Sequence, residues 1–235
     1  MSVDLSATVG DLATEDPRRS RILEKFGIDY CCNGQRPLAE AARDAGVDPD
    51  DLAKELDIPA RTRPEGRNSL ENAALAHDIV DTHHAYMWQE MPQLQALIDK
   101  VHRAHGARHP ELSRVQAAFA EAVEALDPHL TAEERVIFPE ISRLEKTQTP
   151  STPGLATPIE QLRAEHALVG ELFKELHELT DGYSAPPDAC NSYRAMLTRL
   201  KDMELDLHEH IHKENNILFP RVLRFEQQHA QAGPS

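Results

Sequence analysis

Cysteine is scarce in this 235-residue chain, which has three, two of them adjacent. Three thiols cannot build the disulfide framework of a small secreted domain. Positive charge is short as well: 25 Lys and Arg stand against 40 Asp and Glu, a formal net charge of −15 at pH 7. That balance speaks against a surface made for nucleic acid or an anionic membrane. No stretch approaches the roughly 18 consecutive apolar residues of a membrane-spanning helix, and the opening MSVDLSATVGDLATED has no basic start followed by an apolar run. These absences lead us to expect a soluble, cytoplasmic protein. Strand-like alternation is missing too, which leaves helices as the building material.

Histidine, by contrast, is abundant, with 13 residues, and it is the commonest metal ligand and a proton carrier near neutral pH. The length allows one good core plus a small appendage, at roughly 100–200 residues per domain. Residues 1–58 read as a small helical domain, in which Asp16-Pro17 and Asp48-Pro49 each place a capping residue before a proline at the first helical position. The Pro-, Gly- and Arg-rich stretch 59–69 reads as a linker. Within 70–230 come four helical patterns, at about 70–105, 110–145, 157–181 and 189–228. Their short connections predict an all-α fold, an antiparallel four-helix bundle behind a small helical N-terminal domain. Thr157-Pro158-Ile159-Glu160 reads as a capping box opening the third helix. Pro92 predicts a kink in the first.

Apolar positions recurring in steps of three and four define a buried stripe on each helix. The first runs His77, Val80, His84, Met87, Met91, Leu94, Ile98 and Val101, and the second Leu112, Val115, Phe119, Ala122, Leu126, His129, Glu133 and Val136. The third runs Ile159, Leu162, His166, Val169, Phe173 and Leu176; the fourth runs Tyr193, Met196, Leu200, Met203, Leu207, His210, Glu214 and Ile217. HLTAEERVIFPE at 129–140 returns as HIHKENNILFPR 81 residues later (210 − 129), so the halves look like repeats. Each half supplies a histidine and then His-x-x-x-Glu. A lone histidine on an apolar stripe is usually a hydrogen-bonded core residue. Here all four stripes carry one and two add a glutamate, while no Lys or Arg shares the stripes to neutralise Glu133 and Glu214. Residues four apart on a helix differ by about 40° and about 6 Å, so each His and Glu pair can reach one centre.

Four imidazoles and two carboxylates exceed the four donors of a structural zinc. They suit two metals, each on two histidines with both glutamates and an oxo or hydroxo group bridging; ligand softness is compatible with iron, copper, nickel or zinc, and the bundle setting favours iron. His77 reads as a lining or core residue, and His105 is too far along its helix to ligate. His83, His208 and His212 fall off the stripes and read as solvated. Glu134, Glu165 and Glu209, each next to a proposed ligand, could accept from imidazole N–H groups, although plain surface charge is the simpler reading. Cys31 and Cys32, flanked by Gly27 and Gly34, suggest an exposed turn where a thiolate could accept iron, exchange with a partner or sense oxidant. Cys190, near the start of the last helix, reads as inert.

The bundle with His84, His129, Glu133, His166, His210 and Glu214 resembles hemerythrin-like di-iron domains, and IDYCCNG at 28–34 resembles the signature of the Repair of Iron Centres family. The resemblance implies a cytoplasmic non-haem di-iron protein, made under nitrosative or oxidative stress, that restores damaged iron–sulfur clusters. It also implies those six residues as ligands of two iron ions. Asn33 stands where that family often has glycine, and asparagine tolerates a left-handed turn. Iron donation to damaged or apo iron–sulfur proteins is the leading expectation, with Cys31 and Cys32 as the residues that dock to or accept from the bundle. The alternatives are a di-iron reductase of nitric oxide or peroxide, and a sensor or carrier of nitric oxide or dioxygen. A homodimer is compatible with all of them, and no nucleic-acid or membrane partner is expected.

Overall fold

The computed structural model describes residues 3–58 and 71–231, with side chains up to 229, so the linker expected at 59–69 lies outside the described residues. The N-terminal module holds α1 (Val9–Glu15), α2 (Arg18–Lys25), α3 (Leu38–Asp44) and α4 (Pro49–Leu56). Their starts follow from local chemistry. Thr8 Oγ1 accepts from the Asp11 N–H, and Asp48 accepts from the Asp50 and Asp51 N–H groups with Pro49 just inside. Val9, Leu23, Leu38, Leu52 and Leu56 are fully buried in a core of their own, each contributing about 1.5–3 kcal/mol of apolar burial.

Four rods follow. The first joins α5 (Asn72–Ile79) through a π-turn at Val80–His84 to α6 (Ala85–His105). The second joins α7 (Leu112–Ala132) through a π-turn at Glu133–Ile137 to α8 (Phe138–Thr147). The third is the single helix α9 (Ala156–Leu179). The last joins α10 (Asn191–His212) through a π-turn at Lys213–Leu218 to α11 (Phe219–Gln231). Among the described residues there is no strand, only one isolated bridge between Thr8 and Pro37. No helix among them is long and apolar enough to cross a membrane.

The stripes of the third and fourth rods are buried throughout, as their spacing predicts. Those of the first two fail at one end: His77 is exposed, and Val136 is 60 % exposed while Ile137 and Phe138 are buried. The π-turns are the reason. Each widens one turn by a residue and rotates everything beyond it, so the core face passes from Ile79 to His84 and from Glu133 to Ile137. Pro92 sits inside a continuous α6, and the breaks in α geometry fall at the π-turns instead. The third helix opens at Ala156, not on Thr157; the Leu155 N–H before it donates to the Glu226 carboxylate at 3.0 Å. At the matching place in the first half, the Asn72 and Ala73 N–H groups donate to Glu145 at 3.0 Å each. Glu145 and Glu226 are again 81 apart (226 − 145). Each half is therefore a helical hairpin whose second rod caps the start of its first.

Candidate metal centre

In every rod one apolar cluster ends and another begins, and the six polar residues lie between the two. His84 closes the first π-turn, Glu133 opens the second, and Glu214 lies in the third. His129 and His210 come one turn earlier on their rods, and His166 points in from the uninterrupted α9. All six are at most 2 % exposed. Two groups of four donors form, His84 with His210 and His129 with His166, and both groups include Glu133 and Glu214; within each group the donor atoms lie within 4.8 Å of one another. Glu214 divides its oxygens, Oε1 standing 2.9 Å from His210 Nε2 and Oε2 3.0 Å from His166 Nε2. Glu133 Oε2 lies 3.4 Å from both His84 Nε2 and His129 Nε2.

The outer nitrogens of these rings show what the inner ones must do. His84 Nδ1–H donates to Glu134 at 3.1 Å, His129 Nδ1–H to Glu165 at 2.8 Å, and His166 Nδ1–H to Asn215 Oδ1 at 3.1 Å. With Nδ1 carrying the proton, the inner Nε2 of a neutral ring is a bare acceptor. His129 Nε2 and His166 Nε2 nevertheless face each other at 2.9 Å, and His84 Nε2 and His210 Nε2 at 3.2 Å. Both oxygens of Glu133 are buried without a hydrogen-bond partner. Lone pairs and carboxylates converging in an apolar interior require positive charge between them.

Without a metal, protons supply that charge. Burial opposes charging of His84 and His166, but the Glu133 and Glu214 carboxylates outweigh it and raise them to about 10 and about 9. Burial pushes His210 down to about 3. Burial also raises the Glu133 carboxyl, with the Glu214 charge adding to it, whereas the His210, His166 and His84 imidazoles overcome burial and hold Glu214 well below the ordinary carboxylate range. A cation of imidazole and carboxylate preference fits the same donors with the protons displaced.

Several other residues are not where their spacing suggested. His83 is buried: its Nδ1 lies 2.9 Å from Asp206, its Nε2 2.7 Å from Lys213 Nζ, and its ring stacks on His210 at 5.8 Å. His212 is buried too, under the N-terminal module, with Nε2 3.2 Å from Thr14 Oγ1 and its ring 5.3 Å from that of Tyr30. His208 is half-buried beside Glu24. Glu134 and Glu165 do accept from ligand-set imidazoles, but Glu209 is exposed and borders a small pocket with Tyr30, His212 and Lys213. His105 is buried with Nε2 3.2 Å from Sγ of the exposed Cys190.

Cys31 and Cys32 are not in an exposed turn. Cys31 is buried, and Cys32 is half-buried with Sγ 3.9 Å from the His166 carbonyl oxygen. The Cys32 thiol and burial push the Cys31 thiol well above its ordinary value. Asn33 has no left-handed backbone; its side chain donates to Asp29 at 2.7 Å. The loop sits on the third π-turn, where Asn216 Nδ2–H donates to the carbonyls of Cys31 (2.9 Å) and Tyr30 (3.3 Å), and Asn215 Nδ2–H to Cys31 (3.4 Å). Gly34 and Gly10 are glycines because a Cβ on either would strike the Asn216 side chain. Sequence reasoning missed His212, Asn215 and Asn216. The signal was present in the repeat, since the first half has Thr131, Glu134 and Arg135 at those three places.

A family model described as the hemerythrin HHE cation-binding domain matches residues 75–222, which span all four rods. The chain belongs to the hemerythrin HHE family. That membership implies an iron-binding domain, and the buried histidine and glutamate clusters are groups that could hold a metal ion. A second model, described only as a domain of unknown function (DUF542), matches residues 5–59. Among curated relatives, the iron-sulfur cluster repair protein YtfE of Yersinia pestis (strain Pestoides F) is 34 % identical over 223 residues, covering 93 % of this chain and 97 % of the relative. The protein of the same name from Yersinia pseudotuberculosis serotype O:1b (strain IP 31758) matches with the same identity and coverage.

Proposed function

We propose that this hemerythrin-family chain restores damaged iron–sulfur clusters by donating iron held in its bundle. Two irons would be held there, one by His84 and His210 and the other by His129 and His166, with Glu133 and Glu214 available to both. The observation that carries this reading is the donor count. Four neutral imidazoles surround only two carboxylates, so two ferrous ions leave the buried site with a net positive charge. Burial makes that excess unfavourable, and a reduced pair is correspondingly easy to give up. The relatives over nearly the full length are named as iron–sulfur cluster repair proteins, which supports an iron–sulfur protein as the recipient.

The chain's own residues prepare both holding and release. Glu134 and Glu165 fix the tautomer of His84 and His129, aiming Nε2 inward and making those rings better donors. His166 has only the neutral Asn215 behind it, and His210 Nδ1 has no hydrogen-bond partner. Each iron thus has one strongly backed and one weakly backed histidine. The apolar clusters on either side exclude water until the metal leaves.

Mixing the reduced, iron-loaded protein with an apo iron–sulfur protein tests the proposal. Iron should leave this chain as the cluster forms in the recipient, and clusters forming with no iron lost here would refute it. Four protein donors per iron also leave coordination positions open, which supports reduction of nitric oxide or peroxide as a second reading. Multiple turnovers at constant iron content would favour that reading over donation.

A further inference from the structure

Asp29, Cys31 and Cys32 form a third donor group outside the bundle, with one ligand atom from each within 4.8 Å of the others. Asp29 shapes it: Oδ1 accepts from the Cys31 N–H at 3.0 Å and the Cys32 N–H at 2.8 Å, and the Cys31 thiol donates to the same oxygen at 3.2 Å. This turn brings both sulfurs to the carboxylate, 3.9 Å apart, far beyond the roughly 2.05 Å of a disulfide. Two thiols and a carboxylate suit a divalent cation of intermediate softness, such as ferrous iron or zinc. A structural site would close its shell with four donors, whereas three leave a place for an incoming ligand.

The group's position supplies an independent argument. Asn215 joins it to the metal centre, donating to the Cys31 carbonyl while accepting from His166 Nδ1–H. Cys32 Sγ lies against the His166 carbonyl and above Gly170, where a Cβ would come within 3.6 Å of the sulfur. His166 is also one of the two ligand-set histidines that no carboxylate backs. The three donors therefore stand over a wall of the centre that no carboxylate backs.

We propose that Asp29, Cys31 and Cys32 form a second cation site, a three-donor port that takes ferrous iron leaving the bundle and presents it to the recipient. The port rests on the iron-donation reading above. Loading it breaks the iron's bonds to the bundle histidines and glutamates and forms two metal–sulfur bonds and one to the Asp29 carboxylate; the two thiol protons go to the vacated bundle donors or to solvent, and no electron is transferred. The recipient completes the shell and then replaces the port's ligands one by one.

Cobalt(II) added to the metal-free full chain, in a Cys190→Ala background, reports on the site without iron. We expect a thiolate-to-cobalt charge-transfer band that survives Glu133→Gln but disappears in Cys31→Ser and in Cys32→Ser. No such band at any loading, or an equal band in both serine variants, would overturn the site. Transfer of iron to an apo ferredoxin tests the port. At equal bundle iron content, Cys32→Ser should transfer about tenfold more slowly than the parent. Equal rates would overturn the port and leave donation standing, while no transfer from the parent protein would overturn donation and the port together.

Discussion

The repeat makes the halves look alike, yet the outer partners of the four histidines differ, and that difference predicts unequal ligands. His129 leans on the Glu165 carboxylate, whereas His166 leans on the Asn215 amide. Replacing Glu165 with Gln keeps a hydrogen-bond acceptor but removes the charge that strengthens His129 as a donor. Iron affinity should fall by about tenfold to a hundredfold, read by competition with a chelator. Asn215→Ala should have a smaller effect on affinity, since it removes a neutral partner. Equal losses in the two variants would mean that the carboxylate charge is irrelevant. The six inward residues were legible from spacing because burial on a helix has a period, and charge on a buried stripe demands an explanation. His83 and His212 were not, because both lie off the stripe and owe their burial to what packs over them, Asp206 with Lys213 in one case and Tyr30 in the other.

At the level of the elements, the π-turns of the first two rods explain where the spacing argument stopped working. A stripe drawn with α-helical steps cannot register an extra residue, so His77 and Val136 were placed inside while the true core face had moved by one position. The motif itself was unaffected, because in each half its histidine lies on the α-helix before the π-turn and its glutamate falls within the first two residues of that turn. Docking of the N-terminal loop is also an element-scale matter, and it was invisible for a different reason: it joins residues about 180 positions apart through side chains of no marked chemical character. Gly34 permits that close approach. Gly34→Ala would drive a Cβ to 2.7 Å from the Tyr30 carbonyl and against Asn216. The loop should lift off the bundle at a cost of about 1–3 kcal/mol. Amide exchange of residues 28–38 should then speed up with bundle iron content unchanged, and unaltered exchange would contradict the packing argument.

The whole molecule carries a pH signature set by its pocket. In the metal-free protein His84 and His166 bind protons up to about 10 and about 9, above the ordinary value of 6.5. Their contribution to stability is complete below about 6.5 and disappears as pH rises through 9 to 10. His210 and His212, held at about 3 and about 4 by burial, act in the opposite direction: their contribution is present above 6.5 and is lost as pH falls towards those values. Melting temperature of the chelator-treated protein should therefore peak near pH 6.5 and fall on both sides. Iron bound at these donors would displace the pocket protons, so the loaded protein should melt higher and hold that advantage through pH 9. A flat profile for the metal-free form would show that the pocket does not take up protons in this way.

Each hairpin closes its own end through Glu145 or Glu226, yet neither owns a complete set of donors for one cation. Either foursome draws two members from residues before 148 and two from residues after 154. Severed between those points, the bundle should behave as two pieces waiting for a rivet. Co-produced fragments ought to copurify when ferrous salt is present and drift apart once a strong sequestering agent strips it. Fragments that cling equally well without any salt would show that oily contact alone mates them, and that the mineral is merely a passenger.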